Sequence, residues 1–310
     1  MKKVLFITEK WCDGSPASGL TNHHHNLFSS LKSTNLAEVS TAHFDEIMYE
    51  KKTHFDFHAK RILDEYNPEI VVVSHLGMSY LNPSMKTYRE IKRRGIKLIF
   101  IWPDTREWIP QAIQDLNIAD LHISWACEDN DDHPICANHV WMWTPEDPTL
   151  YFDDIKTTDV SFIGSLNGYR NIRLNHVNYL VENGIPIIVS GGQREHKLDA
   201  NGYAKQIRTS RININFSESA YPGIHQCKGR VFESMASNSL LLESENVATR
   251  RRAVPGVHYI EFKSEVDLKE KVLYFLKNTA ERDDIAKRGY NLYKQKYTAD
   301  IYWNTVFERI

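Results

Sequence analysis

Short apolar runs alternate with amphipathic segments of helix length along the chain. Ile70–Ser74 is a continuous, mostly β-branched run, and Lys97–Trp102 is a second apolar run. Such runs are typical of strands that are buried on both faces of a parallel sheet. Between them, Pro83–Arg94 has the pattern of a helix that ends at Gly95. Strands that alternate with helices predict a parallel sheet covered by helices on both sides.

The alternation runs through the chain twice. The segment Pro145–Pro148 interrupts it, and the pattern starts again with the predicted strand Val160–Ile163. We therefore predict an α/β protein with two tandem Rossmann-like domains that face each other across a cleft. The N-terminal domain is expected over residues 1–145 and the C-terminal domain over residues 151–297. The closing segment, residues 298–310, is predicted to be a helix that crosses back to the N-terminal domain.

Composition and charge fit an ordinary globular protein. The chain has 310 residues, 42% of them hydrophobic, which is enough for two domains that each bury a core. The formal net charge of -2 provides no general attraction to nucleic acid, so no stable nucleic-acid binding is expected. No apolar stretch reaches the roughly 18 residues that a transmembrane helix needs. The four cysteines lack CxxC pairing, and reduced thiols in a cytoplasmic protein are the simplest interpretation.

The segment Lys228–Leu242 concentrates the residues that suggest ligand chemistry. Lys228 and Arg230 stand at the start of a predicted helix, whose free N–H groups and positive dipole end favour an anion. Together with this helix end, the two cations suit a diphosphate. Glu233 lies on the same helix face as Arg230, where its carboxylate can accept hydrogen bonds from both hydroxyls of a ribose. The alternative is an ordinary exposed Arg–Glu pair on a helix.

Glycine and hydroxyl residues follow three other predicted strands of the C-terminal domain. Gly164 and Ser165 follow one strand, and Gly191 and Gly192 follow the next. Glycine at such a position lets a ligand approach the backbone closely. Ser217 lies in the polar segment after a third strand and fits a base or sugar pocket. Because ligands of open α/β sheets sit beyond the carboxyl ends of the strands, we assign these residues to one donor pocket.

From about Asp159 to its C-terminus, the chain resembles the group 1 glycosyltransferase domain of CgeB-like, spore-coat-type glycosyltransferases. The matching landmarks are Asp159–Ser165, Tyr203–Phe216, Lys228–Glu233, Val254–Val257 with Phe262, and Ile285–Gly289. The most specific element of the resemblance is Lys-Gly-Arg-x-Phe-Glu. The resemblance implies a GT-B fold, a nucleoside-diphosphate-sugar donor such as a UDP-sugar, hexosyltransferase-type activity, no cofactor and no obligatory metal.

One position departs from the pattern of this family. Many group 1 transferases carry a Glu-x7-Glu motif, and if Glu233 is its second glutamate, His225 stands in place of the first. The first glutamate is usually placed near the sugar, so the resemblance assigns His225 to the donor site. The replacement leaves the donor sugar and the stereochemistry of transfer open.

Candidates for the catalytic side lie after strands of the N-terminal domain. Asp104 and His75 each follow a predicted buried strand, where either side chain could take a proton from an acceptor hydroxyl. Asp104 is preferred, because the resembled branch often has an aspartate after this strand. The alternatives are that Asp104 caps a helix or pairs with Arg106, and that His75 is a core histidine.

The loop that contains Gly14 and Gly19 and the imidazole of His24 are assigned to the acceptor side. His24 belongs to the run His23–His25, but consecutive helix positions face different sides and cannot jointly hold one ion, so no metal site is expected. The acceptor itself, whether glycan, protein or small molecule, is not identified by these residues.

Other functions stay open at this point. A non-catalytic nucleotide- or glycan-binding protein would keep the GT-B fold, and His225 in place of a glutamate supports it. A DNA-modifying glucosyltransferase would need a basic groove, which the near-neutral charge argues against. A dinucleotide-dependent dehydrogenase is disfavoured, because Gly14 and Gly19 do not have the spacing of a G-x-G-x-x-G fingerprint.

Overall fold

The computed structural model describes eight ranges of the chain, residues 1–21, 23–77, 79–103, 109–125, 133–166, 171–191, 198–218 and 225–310. The chain forms two compact units. The N-terminal unit is Met1–Asp147 together with Ala299–Ile310, and the C-terminal unit is Pro148–Thr298. These boundaries lie within three residues of the predicted ones.

A parallel sheet forms the centre of the N-terminal unit. Its strands among the described residues are β1 (Lys2–Thr8), β2 (Ala37–His43), β3 (Ile70–Ser74), β4 (Lys97–Trp102), β5 (Leu121–Ser124) and β6 (His139–Trp141). Their spatial order is β2-β1-β3-β4-β5-β6, and all neighbouring pairs are parallel. The helices between them are α1 (Ser30–Thr34), which continues a π-helical stretch over His24–Ser29, α2 (Phe44–Lys51), α3 (Ala59–Tyr66), α4 (Met85–Arg93) and α5 (Ile109–Asp115).

The central strand β3 shows why its first four residues are all apolar. All five of its residues are buried. Val71 and Val73 belong to the hydrophobic cluster on one face of the sheet, and Ile70 and Val72 belong to the cluster on the other face. Side chains alternate between the faces of a strand, so a sheet covered on both sides needs apolar residues at every position.

The C-terminal unit repeats this architecture. Its strands among the described residues are β7 (Thr158–Ile163), β8 (Ile187–Ser190), β9 (Ser210–Asn215), β10 (Leu240–Ser244) and β11 (Ile260–Phe262). They are all parallel and lie in the order β11-β10-β9-β7-β8. The helices are α6 (Asn171–Glu182), α7 (Ala200–Thr209), α8 (Gly229–Ala236), α9 (Val247–Arg250), α10 (Glu265–Lys277) and α11 (Thr279–Lys296). The prediction of two parallel-sheet α/β domains is confirmed.

The last helix, α12 (Ala299–Glu308), completes the core of the N-terminal unit. Trp303 is fully buried against Phe6 of β1, with ring centroids 5.7 Å apart, and its indole N–H donates to Ser30 Oγ at 3.0 Å. The hydroxyl of Tyr302 accepts a hydrogen bond from the indole of Trp125 at 3.0 Å. Among the described residues, no helix is both long and apolar enough to cross a membrane.

One predicted helix is shorter than its periodicity indicates. The spacing predicts a helix over His54–Tyr66, whereas α3 begins at Ala59 and Phe55–Phe57 forms a 3-10 turn. The Asp56 carboxylate in this turn accepts hydrogen bonds from Ser84 and Thr87, which lie about thirty residues further along the chain. These hydrogen bonds hold the turn apart from the helix. Sequence periodicity does not predict them, because they join residues that are distant in the chain.

Candidate functional site

The strand order of the C-terminal sheet places a candidate ligand site beside β7. From β7 the chain passes to β8 on one side, and then to β9 on the other side. In open α/β sheets, ligands bind beyond the carboxyl ends of the strands at such a switch point. Gly164 directly follows β7, and Asn215 ends β9. The residues around these two positions are therefore the candidate site.

Two cationic groups meet at this edge. The extended residue Lys228 precedes α8, and its Nζ donates to the carbonyl oxygen of Glu218 at 2.5 Å. Nη2 of Arg173, a buried residue of α6, donates to the same oxygen at 2.7 Å. The sequence prediction includes Lys228 but not Arg173. The only sequence signal for Arg173 is its place in the first turn of the helix after β7, which is the turn that faces this sheet edge.

Arg230 occupies the centre of the site. Its Nη1 donates to Oδ1 of Asn215 at 3.0 Å, and its Nη2 donates to the hydroxyl of Tyr203 at 2.8 Å. The guanidinium carbon lies 6.0 Å from the ring centre of Phe162 and 5.7 Å from that of Tyr203. Desolvation opposes the charged form, but the neighbouring Tyr203 and Glu233 outweigh it and raise the pKa of Arg230. Arg230 is thus an oriented, permanently charged group.

Glu233 lies one helical turn beyond Arg230, as predicted. Its carboxylate is 5% exposed, and its Oε2 accepts a hydrogen bond from the Tyr203 hydroxyl at 2.8 Å. Burial raises the pKa of Glu233, while the charge of Arg230 opposes this effect. The Tyr203 phenol therefore links the cation to the carboxylate, accepting from one and donating to the other. Binding of ribose hydroxyls by Glu233 stays a prediction.

Two of the predicted glycines pack against each other beside Arg230. Gly191 has a φ of 93°, and a Cβ there would lie 3.2 Å from the backbone nitrogen of Gly164. A Cβ at Gly164 would lie 3.1 Å from the ring of Phe162 and 3.5 Å from Nη1 of Arg230. The absence of side chains thus lets the ends of β7 and β8 approach each other and leaves room at the guanidinium. Gly192 lies outside the described residues.

Ser217 and His225 form a second hydrogen-bonded group at the same edge. Ser217 Oγ lies 2.8 Å from Nδ1 of His225 and 2.9 Å from Oγ of Ser244, which also accepts from the Ser217 backbone N–H. The hydroxyl protons of both serines have acceptors if Ser244 donates to Oγ of Ser217 and Ser217 donates to Nδ1 of His225. In that arrangement Nε2 of His225 carries a proton and is a hydrogen-bond donor. Ser165, the remaining predicted donor residue, is partly exposed after β7.

Sequence reasoning also missed Glu243. This residue of β10 is fully buried, and its Oε2 accepts a hydrogen bond from Nδ2 of Asn215 at 2.7 Å. Burial raises its pKa to about 8. The available signal was an acid directly after the apolar run Leu240–Leu242. Its significance depends on the pairing of β10 with β9, which aligns Glu243 with Asn215.

One predicted catalytic residue, His75, directly follows β3 of the N-terminal sheet. Asp104 falls outside the described residues. His75 is 5% exposed, its Nε2 lies 2.9 Å from the Tyr88 hydroxyl, and its ring packs 4.4 Å from Trp102. Burial, together with His122, lowers the pKa of His75 to about 3. These contacts favour a structural role for His75, and its catalytic role stays a prediction.

The predicted acceptor-side residues lie after β1. Gly14 has a φ of 67°, a backbone conformation that favours glycine, and a Cβ there would lie 2.9 Å from the end of the Leu81 side chain. Gly19 also has a positive φ, of 76°. Burial and the adjacent His25 lower the pKa of His24 to about 4, which leaves it neutral at pH 7. In the described part of the chain, no group of three or more His, Cys, Asp or Glu residues could hold a metal ion.

A family model described as glycosyl transferase-like matches residues 162–307, which include every C-terminal residue of the site from Gly164 to Glu243. The match supports the group 1 glycosyltransferase family. A comparison with curated proteins gives no match.

Solved structures resemble the whole chain. One is Anabaena Alr3699/HepE in complex with UDP-glucose, with 9% identity, a TM-score of 0.64 and complete coverage of both chains. Another is sucrose-phosphate synthase from Thermosynechococcus elongatus, with 10% identity, a TM-score of 0.61 and 99% coverage of both chains. A putative UDP-N-acetylglucosamine 2-epimerase from Listeria monocytogenes has 12% identity and a TM-score of 0.56, covering 99% of this chain and 95% of its own. At these identities the likeness shows the fold, which is that of GT-B glycosyltransferases.

Proposed function

We propose that this protein is a glycosyltransferase of the CgeB-like branch that transfers a hexose from a UDP-sugar to a hydroxyl acceptor. The observation that carries the proposal is the arrangement of Lys228, Arg230 and Glu233 around the start of α8. Arg230 is hydrogen-bonded on two sides, and Lys228 and Arg173 share an acceptor beside it. The likeness to a UDP-glucose complex from Anabaena supports UDP as the nucleotide.

The arrangement fits the charge that sugar transfer develops. The acceptor oxygen forms a bond to the anomeric carbon, while the bond from that carbon to the diphosphate breaks and its electron pair leaves with UDP. The hydroxyl proton passes to a base, for which Asp104 or the leaving diphosphate itself is proposed. Lys228, Arg173 and Arg230, with the N–H groups at the start of α8, offset the charge on the leaving diphosphate. Glu233 accepts the ribose hydroxyls, and Gly164 and Gly191 allow the donor to approach the backbone. We propose that these groups act without a metal ion.

Calorimetry with UDP, GDP, ADP, CMP and TDP, in buffer that contains EDTA, tests the donor assignment. We expect UDP to bind selectively and EDTA to leave its affinity unchanged. Equal affinity for all five nucleotides, or no binding by folded protein, contradicts the assignment. A requirement for added divalent cation contradicts the metal-independent mechanism alone.

Turnover separates a transferase from a protein that only binds. We expect slow release of UDP from UDP-glucose in water, and faster release when a hydroxyl acceptor is supplied. Binding without release would support the non-catalytic alternative. Because the fold is shared with a putative 2-epimerase, UDP-N-acetylglucosamine is included, and a change of configuration at C2 without an acceptor counts against a transferase.

The location of the reaction in the cell rests on the cysteines. The four cysteines show no CxxC pairing and no metal-ligand spacing in the sequence. We propose a cytoplasmic location on this pattern. Retention of enzyme in the cytoplasmic fraction of its source cells is the expected result.

A further inference from the structure

Glu243 is a buried acid at the carboxyl end of β10. Its partner in the neighbouring strand β9 is Asn215, which contacts Arg230. Glu243 is fully buried, its Oε2 accepts from Nδ2 of Asn215 at 2.7 Å, and its Oε1 accepts from Nδ2 of Asn246 at 3.2 Å. Burying a carboxyl group costs free energy, so such a group is expected to have a function or a complete set of hydrogen-bond partners.

The amide of Asn215 joins this acid to the cation of the donor site. Arginine has donors only, so the oxygen of the buried Asn215 amide must face Arg230, where it accepts from Nη1 at 3.0 Å. The amide nitrogen must then face Glu243, which accepts its hydrogen bond. The acid therefore fixes the orientation of the amide, and the amide fixes one edge of the guanidinium.

The charge of Glu243 depends on the groups around it. Burial raises its pKa to about 8, while the Asn215 hydrogen bond and the charges of Lys228 and Arg230 oppose that rise. Glu261 of β11 adds a like charge that raises it further, and the Tyr259 hydroxyl is the other titratable group that interacts with it. A neutral Glu243 leaves the charge of Arg230 to a diphosphate, whereas an ionised Glu243 would compete for that charge.

We propose that Glu243 is a positioning residue of the donor site, which acts through Asn215 to hold Arg230 toward the diphosphate. The role rests on the proposed function, because it requires that the site binds a nucleoside diphosphate sugar. It assigns to Glu243 the pH dependence of donor binding above neutral pH.

The test is the affinity for UDP-glucose, measured by calorimetry between pH 6.5 and pH 9. UDP-glucose has no terminal phosphate to titrate in this range, so a change in affinity reports the protein. In the wild type, we expect the affinity to fall about tenfold between pH 7 and pH 9, the limit for a site that binds the donor only when a group with a pKa near 8 is protonated.

Three variants separate this role from a merely structural one. Glu243→Gln keeps an acceptor for Asn215 but cannot ionise, so it should match the wild type at pH 7 and lose the pH dependence. In this variant the new amide nitrogen faces Nδ2 of Asn246, which loses one acceptor but keeps its contact with Thr249 Oγ1 at 3.0 Å. Glu243→Ala also cannot ionise, so its affinity should be about tenfold below that of the wild type at pH 7 and should not change with pH. Glu245→Gln, two residues away on the surface, is the control and should follow the wild type.

The outcomes are distinct. If Glu243→Gln retains the pH dependence of the wild type, or Glu243→Ala binds as the wild type does, the positioning role is wrong. Strong but pH-independent binding by the wild type overturns the role and leaves the proposed function intact. If the folded wild type does not bind UDP-glucose at any pH, the proposed function fails and the role fails with it.

Discussion

Buried polar side chains near the carboxyl edges of the two sheets differ in charge. In the N-terminal unit, burial lowers the pKa of His75, which directly follows β3, to about 3, so this imidazole is neutral. In the C-terminal unit, Arg230 keeps its charge and Glu243 gives up its own. The difference shows that burial keeps an imidazole neutral after one strand, whereas the neighbours of Arg230 preserve its positive charge beside the other sheet. Under the proposed function, this positive charge binds the diphosphate.

The tryptophans allow the two units to be followed separately. All seven lie in the residues of the N-terminal unit, and the segment 148–298 contains none. Tryptophan fluorescence therefore reports unfolding of the N-terminal unit, while nucleotide affinity reports the C-terminal site. The following predictions use this separation, from the largest expected effect to the smallest.

Trp303→Ala tests whether the N-terminal unit depends on the closing helix. Removing a fully buried indole and its hydrogen bond to Ser30 should lower the free energy of unfolding by about 3–5 kcal/mol. Denaturant titration followed by tryptophan fluorescence measures this loss. Asn304→Ala, at the adjacent exposed position, is the control and should change stability by less than about 0.5 kcal/mol. Equal stabilities of the two variants would show that α12 does not support this core.

Arg230→Ala tests the charged edge directly. Loss of the guanidinium should weaken UDP binding by about 2–3 kcal/mol, because it removes a charged donor to the diphosphate. Calorimetry at pH 7 measures the change. Arg211→Ala removes a partly exposed arginine of the same unit, paired with Asp159, and should bind UDP as the wild type does. If both variants keep wild-type affinity, Arg230 has no part in donor binding.

Glu233→Ala tests the ribose assignment separately from the diphosphate. We expect a loss of about 1–3 kcal/mol in affinity for UDP. The loss should be smaller for 2′-deoxy-UDP, because that ligand already lacks one of the two hydroxyls. An equal loss for both nucleotides would indicate that Glu233 acts only through Tyr203 and Arg230.

The pH dependence of stability should have opposite signs in the two units. The pKa of His75 is about 3 when folded, against about 6.5 when unfolded, so the unfolded chain binds more protons between these values. The free energy of unfolding is therefore highest above pH 6.5. Protonation of this imidazole alone lowers it by about 2 kcal/mol at pH 5. Fluorescence-detected unfolding of wild type and His75→Gln checks this. If His75→Gln loses as much stability at acid pH as the wild type does, His75 is not the cause of that loss.

Glu243 gives the reverse slope. Its pKa is about 8 when folded and about 4.5 when unfolded, so the folded unit binds more protons between these values and loses stability as pH rises through them. Glu243→Gln should flatten this dependence, by roughly 1.4 kcal/mol for each pH unit at most. Thermal unfolding followed by circular dichroism at pH 6, 7 and 8 measures it. If the stabilities of the variant and the wild type change with pH in the same way, Glu243 is not a neutral acid in the folded protein.

Gly164→Ala should have the smallest effect. A methyl group would lie 3.1 Å from the Phe162 ring and 3.5 Å from Nη1 of Arg230, which requires a shift of a few tenths of an ångström. We expect a loss of about 1 kcal/mol in UDP affinity with little change in fluorescence-detected unfolding. Gly184→Ala, which would meet no atom within 4 Å but has a positive φ, provides a control for backbone strain without contact. Equal effects on UDP affinity would remove the packing argument.

Local sequence alone determined much of the fold. The bounds of β3 and β4 agree with the predicted apolar runs, because burial on both faces of a strand leaves its pattern within a few neighbouring residues. The predicted anion site at the start of α8 is also local, since Lys228, Arg230 and Glu233 lie within two helical turns. In contrast, α2 was missed, because it follows β2 directly without a turn residue.

Only the tertiary structure decided how the site is connected. Asn215 is hydrogen-bonded to Arg230, 15 residues away in sequence, and to Glu243, 28 residues away. Both bonds exist because β9 lies beside β10 and beneath α8. Arg173 reaches the Glu218 carbonyl across 45 residues in the same way. Hydrogen bonds and pKa shifts depend on distance and burial, which a sequence pattern does not contain. The sequence thus determined which chemical groups are present, and strand order determined which of them meet.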